Sequence, residues 1–141
     1  TDISYSHPDI PFSIFFSLCE ENSTISDLRV AESILHESMH LMLTLIENRV
    51  PLIEANTKEI YFSPWREEER PIRGVLHGLF VFKAIKDFYT ILLKEPFEKE
   101  VYLYLSKRIS EIEKEINLIK AFSRSKGLTK VGQKLAFMLL K

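Results

Sequence analysis

Cysteine occurs once in this chain, at Cys19, which excludes an internal disulfide and any cysteine-rich zinc ribbon. A reducing compartment, the cytoplasm, is therefore the expected setting. Glycine is scarce as well, and its four occurrences form neither a phosphate-cradling loop nor a nucleophile elbow. No apolar run approaches the roughly 20 residues that span a bilayer, and no charged-then-apolar leader opens the chain, so no membrane partner is expected. Net charge is almost absent at −1, but the charges are segregated: residues 1–93 hold 8 basic and 14 acidic side chains, residues 94–141 hold 11 and 6. An acidic body thus carries a basic C-terminal flank. Residues 120–141 have six basic side chains and no acidic one. No aromatic stacking platform accompanies them, so a solvated helix face outweighs a nucleic-acid surface, and no nucleic-acid partner is expected.

What is present suffices for one domain over residues 1–141, since 45% of the side chains are hydrophobic. The expected class is mainly α: a helical domain with a small two-stranded β element. Pro8 and Pro11 favour an extended lead-in, after which Phe12, Ile14, Phe16 and Leu18 alternate as the buried side of a strand. Thr24, Ser26 and Asp27 offer capping oxygens for a helix from about 26 to 48, ended by Pro51. The β-prone run Lys58–Phe62 is expected to pair with the first strand. Pro64 and Pro71 make the stretch around Trp65 a loop, and Pro71 suits the first position of a helix reaching about Leu93. Val101, Leu105, Ile109, Ile112, Ile116 and Ile119 mark a packing helix within 97–122, and a breaker at 125–127 precedes a last helix over about 129–140.

The informative stretch is His36-Glu37-Ser38-Met39-His40, an H-E-x-x-H pattern inside a long apolar run. Residues four apart share a helix face, so both imidazoles can reach one cation with Glu37 at its edge. The pattern also occurs by chance, as two satisfied core histidines. Apolar flanks on every side predict a buried helix, however, and buried imidazoles and a buried carboxylate are costly without a partner. A cation satisfies all three.

A catalytic metal usually has three protein ligands. The metallopeptidase continuation with glycine and a third histidine is excluded, because those positions are Leu43 and Ile46. Glu47 lies on the right face but about 10 Å along the axis from His40, too far to share one ion. Glu59 has suitable downstream spacing but falls in the β-prone segment. His77, flanked by apolar residues on a helix able to pack against the first, completes the proposed set His36, His40 and His77, between the H-E-x-x-H helix and the second helix. Arg73, one turn before His77, faces whatever the metal binds. Ion pairs with Glu67, Glu68 and Glu69 are the plainer use of Arg66, Arg70 and Arg73.

Three segments carry a family resemblance: residues 33–40, the run Ser63-Pro64-Trp65-Arg66, and Arg70-Pro71-Ile72-Arg73-Gly74-Val75-Leu76-His77-Gly78. Together they resemble the H-E-x-x-H peptide-modification family, described as iron(II)- and 2-oxoglutarate-dependent β-hydroxylases of ribosomally made precursor peptides. Residues 127–132 resemble its closing segment. The resemblance implies iron(II) as the metal, 2-oxoglutarate as cosubstrate and a precursor peptide as substrate. It implies Arg73, then Arg70, as the clamp on the distal carboxylate, a task suited to a guanidinium fork, with Trp65 and Arg66 lining the peptide groove. Glu37 becomes a ligand, a partner of a ligating histidine or a proton acceptor. Many members carry additional N-terminal sequence, so the resemblance is compatible either with a complete enzyme or with one that needs a partner chain or a further N-terminal region for peptide binding.

Two other classes compete. A zinc peptidase would use Glu37 as general base on a metal-bound water. A non-catalytic binding module would hold an acidic leader peptide on the basic flank.

Overall fold

A computed structural model describes Ser4–Ser6, Ile14–Phe16 and residues 24–141. It is mostly helical, with small antiparallel β elements, as expected. Two strands, β1 (Ser4–Ser6) and β2 (Ile14–Phe16), pair with one another. Phe12 and Leu18, expected in the first strand, lie outside the described residues. Next come α1 (Thr24–Glu47), the hairpin of β3 (Ile60–Ser63) and β4 (Glu68–Pro71), α2 (Ile72–Leu92), α3 (Lys99–Asn117), a short 3-10 turn (Phe122–Arg124) and α4 (Lys130–Leu139). No helix among the described residues is long and apolar enough to cross a membrane.

The central element is α2. It buries Ile72, Val75, Leu76, His77, Leu79, Val81, Ile85 and Tyr89, a spacing that turns apolar groups towards neighbours on several sides. Helices α1, α3 and α4 all pack on it. On α3, Val101, Leu105, Ile112 and Ile116 form the buried stripe, so the spacing that predicts a packing helix there holds.

Two expectations are corrected. The 58–62 run does not join the first strand; β3 pairs with β4, in the register Tyr61↔Arg70 and Phe62↔Glu69. A charged run such as 67–70 reads as loop by composition, but a four-residue turn with Glu67 at φ 54 closes a local hairpin, and local closure costs less entropy than a long-range pairing. The second correction concerns α1, which is not buried all round. Only Ser26, Leu28, Leu41 and Leu43 are buried on it, whereas Ile34, Met42, Leu45 and Ile46 are 37–47% exposed. His36, Glu37 and His40 are half-buried, so their burial alone does not call for a cation.

Candidate functional site

The face of α1 that meets α2 presents His36, His40, Thr44 and Glu47, three or four residues apart and therefore stacked in a row. Helix α2 answers with Arg73 and His77, themselves one turn apart. His40 and His77 meet with Nδ1 facing Nδ1 at 3.0 Å, their rings nearly parallel with centroids 5.3 Å apart. His36 stands edge-on to His40 with centroids 4.8 Å apart. On its far side, His77 Nε2 bonds to Glu47 Oε1. The other oxygen of Glu47 accepts from Arg73 Nε at 2.9 Å, and Arg73 Nη2 reaches Thr44 Oγ1 at 3.5 Å. The row thus reads Arg73, Glu47, His77, His40, His36.

Two ring nitrogens 3.0 Å apart have two chemical solutions. One is a shared proton, as N–H···N. The other is one cation held by both, because bonds of about 2.1 Å at a right angle set ligand atoms about 3.0 Å apart. The donor set, two imidazoles with a carboxylate behind one of them, fits a nitrogen-preferring divalent ion. Among the described residues, however, no group of three or more His, Cys, Asp or Glu side chains stands in ligating geometry. The structure assembles a pair, with His36 beside it.

The electrostatics keep the His36 and His40 rings neutral. Burial pushes His40 down to about 4, helped by the neighbouring His36 and His77 and by Arg73 and Arg66. Burial also lowers His36, against the opposing pull of Glu37 and Glu32. Burial works to raise Glu47, but the bonds from His77 and Arg73 outweigh it and hold the carboxyl below its ordinary value. Neutral imidazoles beside an ionised carboxylate are the protonation states that ligands require.

The other expected site residues divide. Trp65 stacks on Phe82 at 5.3 Å and Phe82 meets His36 edge-on at 5.6 Å, so the β3–β4 turn is tied to the histidines through two ring contacts. The Trp65 indole N–H is buried with no acceptor among the described residues. Trp65 and Arg66 also line an open hollow of about 460 Å³ with Phe62, Pro64, Glu67, Glu115 and Leu118. Arg66 is near enough for its charge to act on His36 and His40. Arg70 is exposed and pairs with Glu68 at 3.0 Å, the plainer use weighed for it. Glu37 is half-buried and its charge acts on His36. Glu59 accepts from the Gly127 backbone N–H at 2.7 Å, a structural role rather than a ligating one.

Glu47, excluded as a ligand by its spacing from His40, is joined here by Phe82 and the Arg108–Glu32 pair, none of which carries a motif in the sequence. Arg108 bonds Glu32 at 2.9 and 3.3 Å and lies 5.7 Å above the Phe82 ring, pinning α3 to α1 behind His36. Glu47 lies seven residues after His40 on the same face, and its partner is His77 of the facing helix.

Gly78 makes the tryptophan contact possible. A Cβ there would lie 2.6 and 2.7 Å from Trp65 Cε3 and Cζ3. Gly78→Ala is expected to push the indole off Phe82, shift the emission of this single tryptophan and cost about 1–3 kcal/mol. Unchanged emission and urea midpoint would place Trp65 elsewhere.

Neither a protein-family model nor a curated protein matches the chain.

Proposed function

We propose that this chain is an iron(II)- and 2-oxoglutarate-dependent oxygenase that hydroxylates side chains of a ribosomally made precursor peptide, with His36, His40 and His77 holding the metal. The observation that carries the reading is the His40–His77 pair, facing nitrogen to nitrogen across the α1–α2 seam with a carboxylate behind His77 and arginines beside it. The resemblance of the H-E-x-x-H and Arg-Gly-His segments chooses the chemistry. When bound, iron(II) with 2-oxoglutarate and dioxygen supplies a two-electron oxidation: one oxygen atom enters a C–H bond and the other joins the keto acid as it loses carbon dioxide.

The chain's own groups bind and orient. Arg73 keeps its Nε on Glu47, and its side chain is 53% exposed, so terminal N–H groups remain to grip the distal carboxylate of the cosubstrate. Arg70 stands on β4 beside Gly74 of α2, held by Glu68. Trp65 and Arg66 offer the peptide an aromatic wall and a cation at the rim of their hollow. Glu37 acts on His36 and keeps that ring oriented.

Anaerobic addition of iron(II) and then 2-oxoglutarate is expected to raise the visible charge-transfer band of a chelated keto acid, and Glu37→Gln is expected to keep it. The opposite result decides for the zinc peptidase: no band, tightly held zinc, and peptide cleavage that Glu37→Gln abolishes, because the general base is gone. Absence of any metal-dependent product would leave a peptide-binding module.

A further inference from the structure

We infer that Glu47 is a positioning residue: it accepts a hydrogen bond from the Nε2–H of His77 and thereby turns the bare Nδ1 of that ring towards His40. The geometry stands by itself, while its purpose, presenting a lone pair to a metal, rests on the reading above.

Both carboxylate oxygens of Glu47 are engaged, one by His77 and the other by Arg73 Nε at 2.9 Å. An ionised carboxylate only accepts, so the His77 nitrogen facing it must be the donor. In the neutral form that a metal ligand needs, the imidazole has one N–H, and with that proton at Nε2 the Nδ1 of His77 is an acceptor. Turning the ring over would set carbon atoms against Glu47 and His40 and strip a residue only 5% exposed of both its partners. The tautomer of His77 is therefore set by Glu47, and Arg73 holds Glu47 in place.

The consequence passes on to His40. Without a cation, His40 must donate from Nδ1 to the bare Nδ1 of His77, because two facing lone pairs repel. A cation held by the pair replaces that proton, and the N–H of His40 is then at Nε2. Glu47 thus gives the α1–α2 seam one fixed donor, and His40 is the ring whose proton yields. The residue is not a ligand: it acts one ring away, which is why its 10 Å rise from His40 along α1 does not matter.

Long-range proton–nitrogen correlation spectra of the imidazoles, recorded on the metal-free wild-type protein at pH 7, test the assignment without any activity. The expected pattern is His77 protonated at Nε2 and His40 at Nδ1; His77 protonated at Nδ1 overturns the inference. Titration with cobalt(II) then tests the purpose. Glu47→Ala is expected to mix the His77 tautomers and weaken cobalt(II) binding by about 10–100-fold, whereas Glu47→Gln, which retains an oxygen acceptor, keeps the tautomer and loses less. Cobalt(II) binding equal to wild type in Glu47→Ala overturns the positioning role. A wild-type protein that binds no cobalt(II) or iron(II) removes the metal reading instead, and the nitrogen spectrum then decides the tautomer alone.

Discussion

Metal-free protein held in chelator is expected to lose about 2–3 kcal/mol of stability between pH 7 and pH 4 through His40 alone. The unfolded chain carries an ordinary imidazole near 6.5, whereas burial and the surrounding cations hold folded His40 near 4. Between those values the unfolded state binds a proton that the folded state refuses, so stability falls as pH falls through this window. Above about pH 7 the contribution is fully present. Below the ordinary carboxyl range Glu47 adds a second loss, because its folded value is depressed and protonation breaks its bonds to His77 and Arg73. The measurement is the urea midpoint at half-unit steps of pH. His40→Asn provides the control: its amide N–H can donate to His77, but it does not titrate. The difference between wild type and variant should therefore vary across pH 6.5 to 4 and be flat above it. A flat difference throughout would mean that His40 sits in water, and the seam would then have no reason to hold neutral ligands.

The same window bears on function. An imidazole that refuses a proton down to about pH 4 keeps its lone pair available at neutral pH, and a cation entering beside His40 has only the proton shared with His77 to displace. Arg73 and Arg66 help depress His40, so the cations proposed to attract the cosubstrate and peptide also keep the imidazole neutral. One arrangement serves both tasks.

Helix periodicity made much of this legible. The runs leading to α1, α2, α3 and α4 have apolar spacing and proline or glycine punctuation that survive into the structure within a few residues at each end, and they put His40 and His77 on facing helices. Three things did not show in the chain. The strand Glu68–Pro71 has the composition of a loop, and its pairing with β3 makes it a strand. The exposure of Ile34, Met42, Leu45 and Ile46 is a tertiary fact: an apolar helix predicts burial, but the neighbours of α1 cover only part of it. Spacing along α1 relates Glu47 only to His40, whereas its partner His77 arrives from another helix, and linear spacing carries no information about that.

The last step of the fold to be tested is the docking of α4, where the largest single-site effect on packing is expected. A Cβ at Gly132 would lie 2.1 Å from the carbonyl oxygen of Leu52 and 3.0 Å from its carbonyl carbon. Both are backbone atoms, so no side chain can swing aside. The Leu52 carbonyl also accepts from Thr129 N at 3.0 Å. Thr129 Oγ1 donates to Pro51 O at 2.7 Å and caps α4 by accepting from Gly132 N at 3.0 Å. Glu54 N bonds Gly127 O at 2.7 Å alongside. Moving α4 to admit a methyl group breaks this run of bonds and uncovers Leu128, Ala136 and Leu140, all buried. Gly132→Ala is therefore expected to cost about 3 kcal/mol. Gly74→Ala is the opposite case: the nearest atom to its Cβ is 3.9 Å away and the site is in the first turn of α2, so alanine should stabilise by about 0.5–1 kcal/mol. Urea denaturation of the two variants should show midpoints displaced in opposite directions. A Gly132→Ala protein as stable as wild type would mean that α4 does not rest on the Leu52 backbone, and that the segment following Glu47 is held by other contacts.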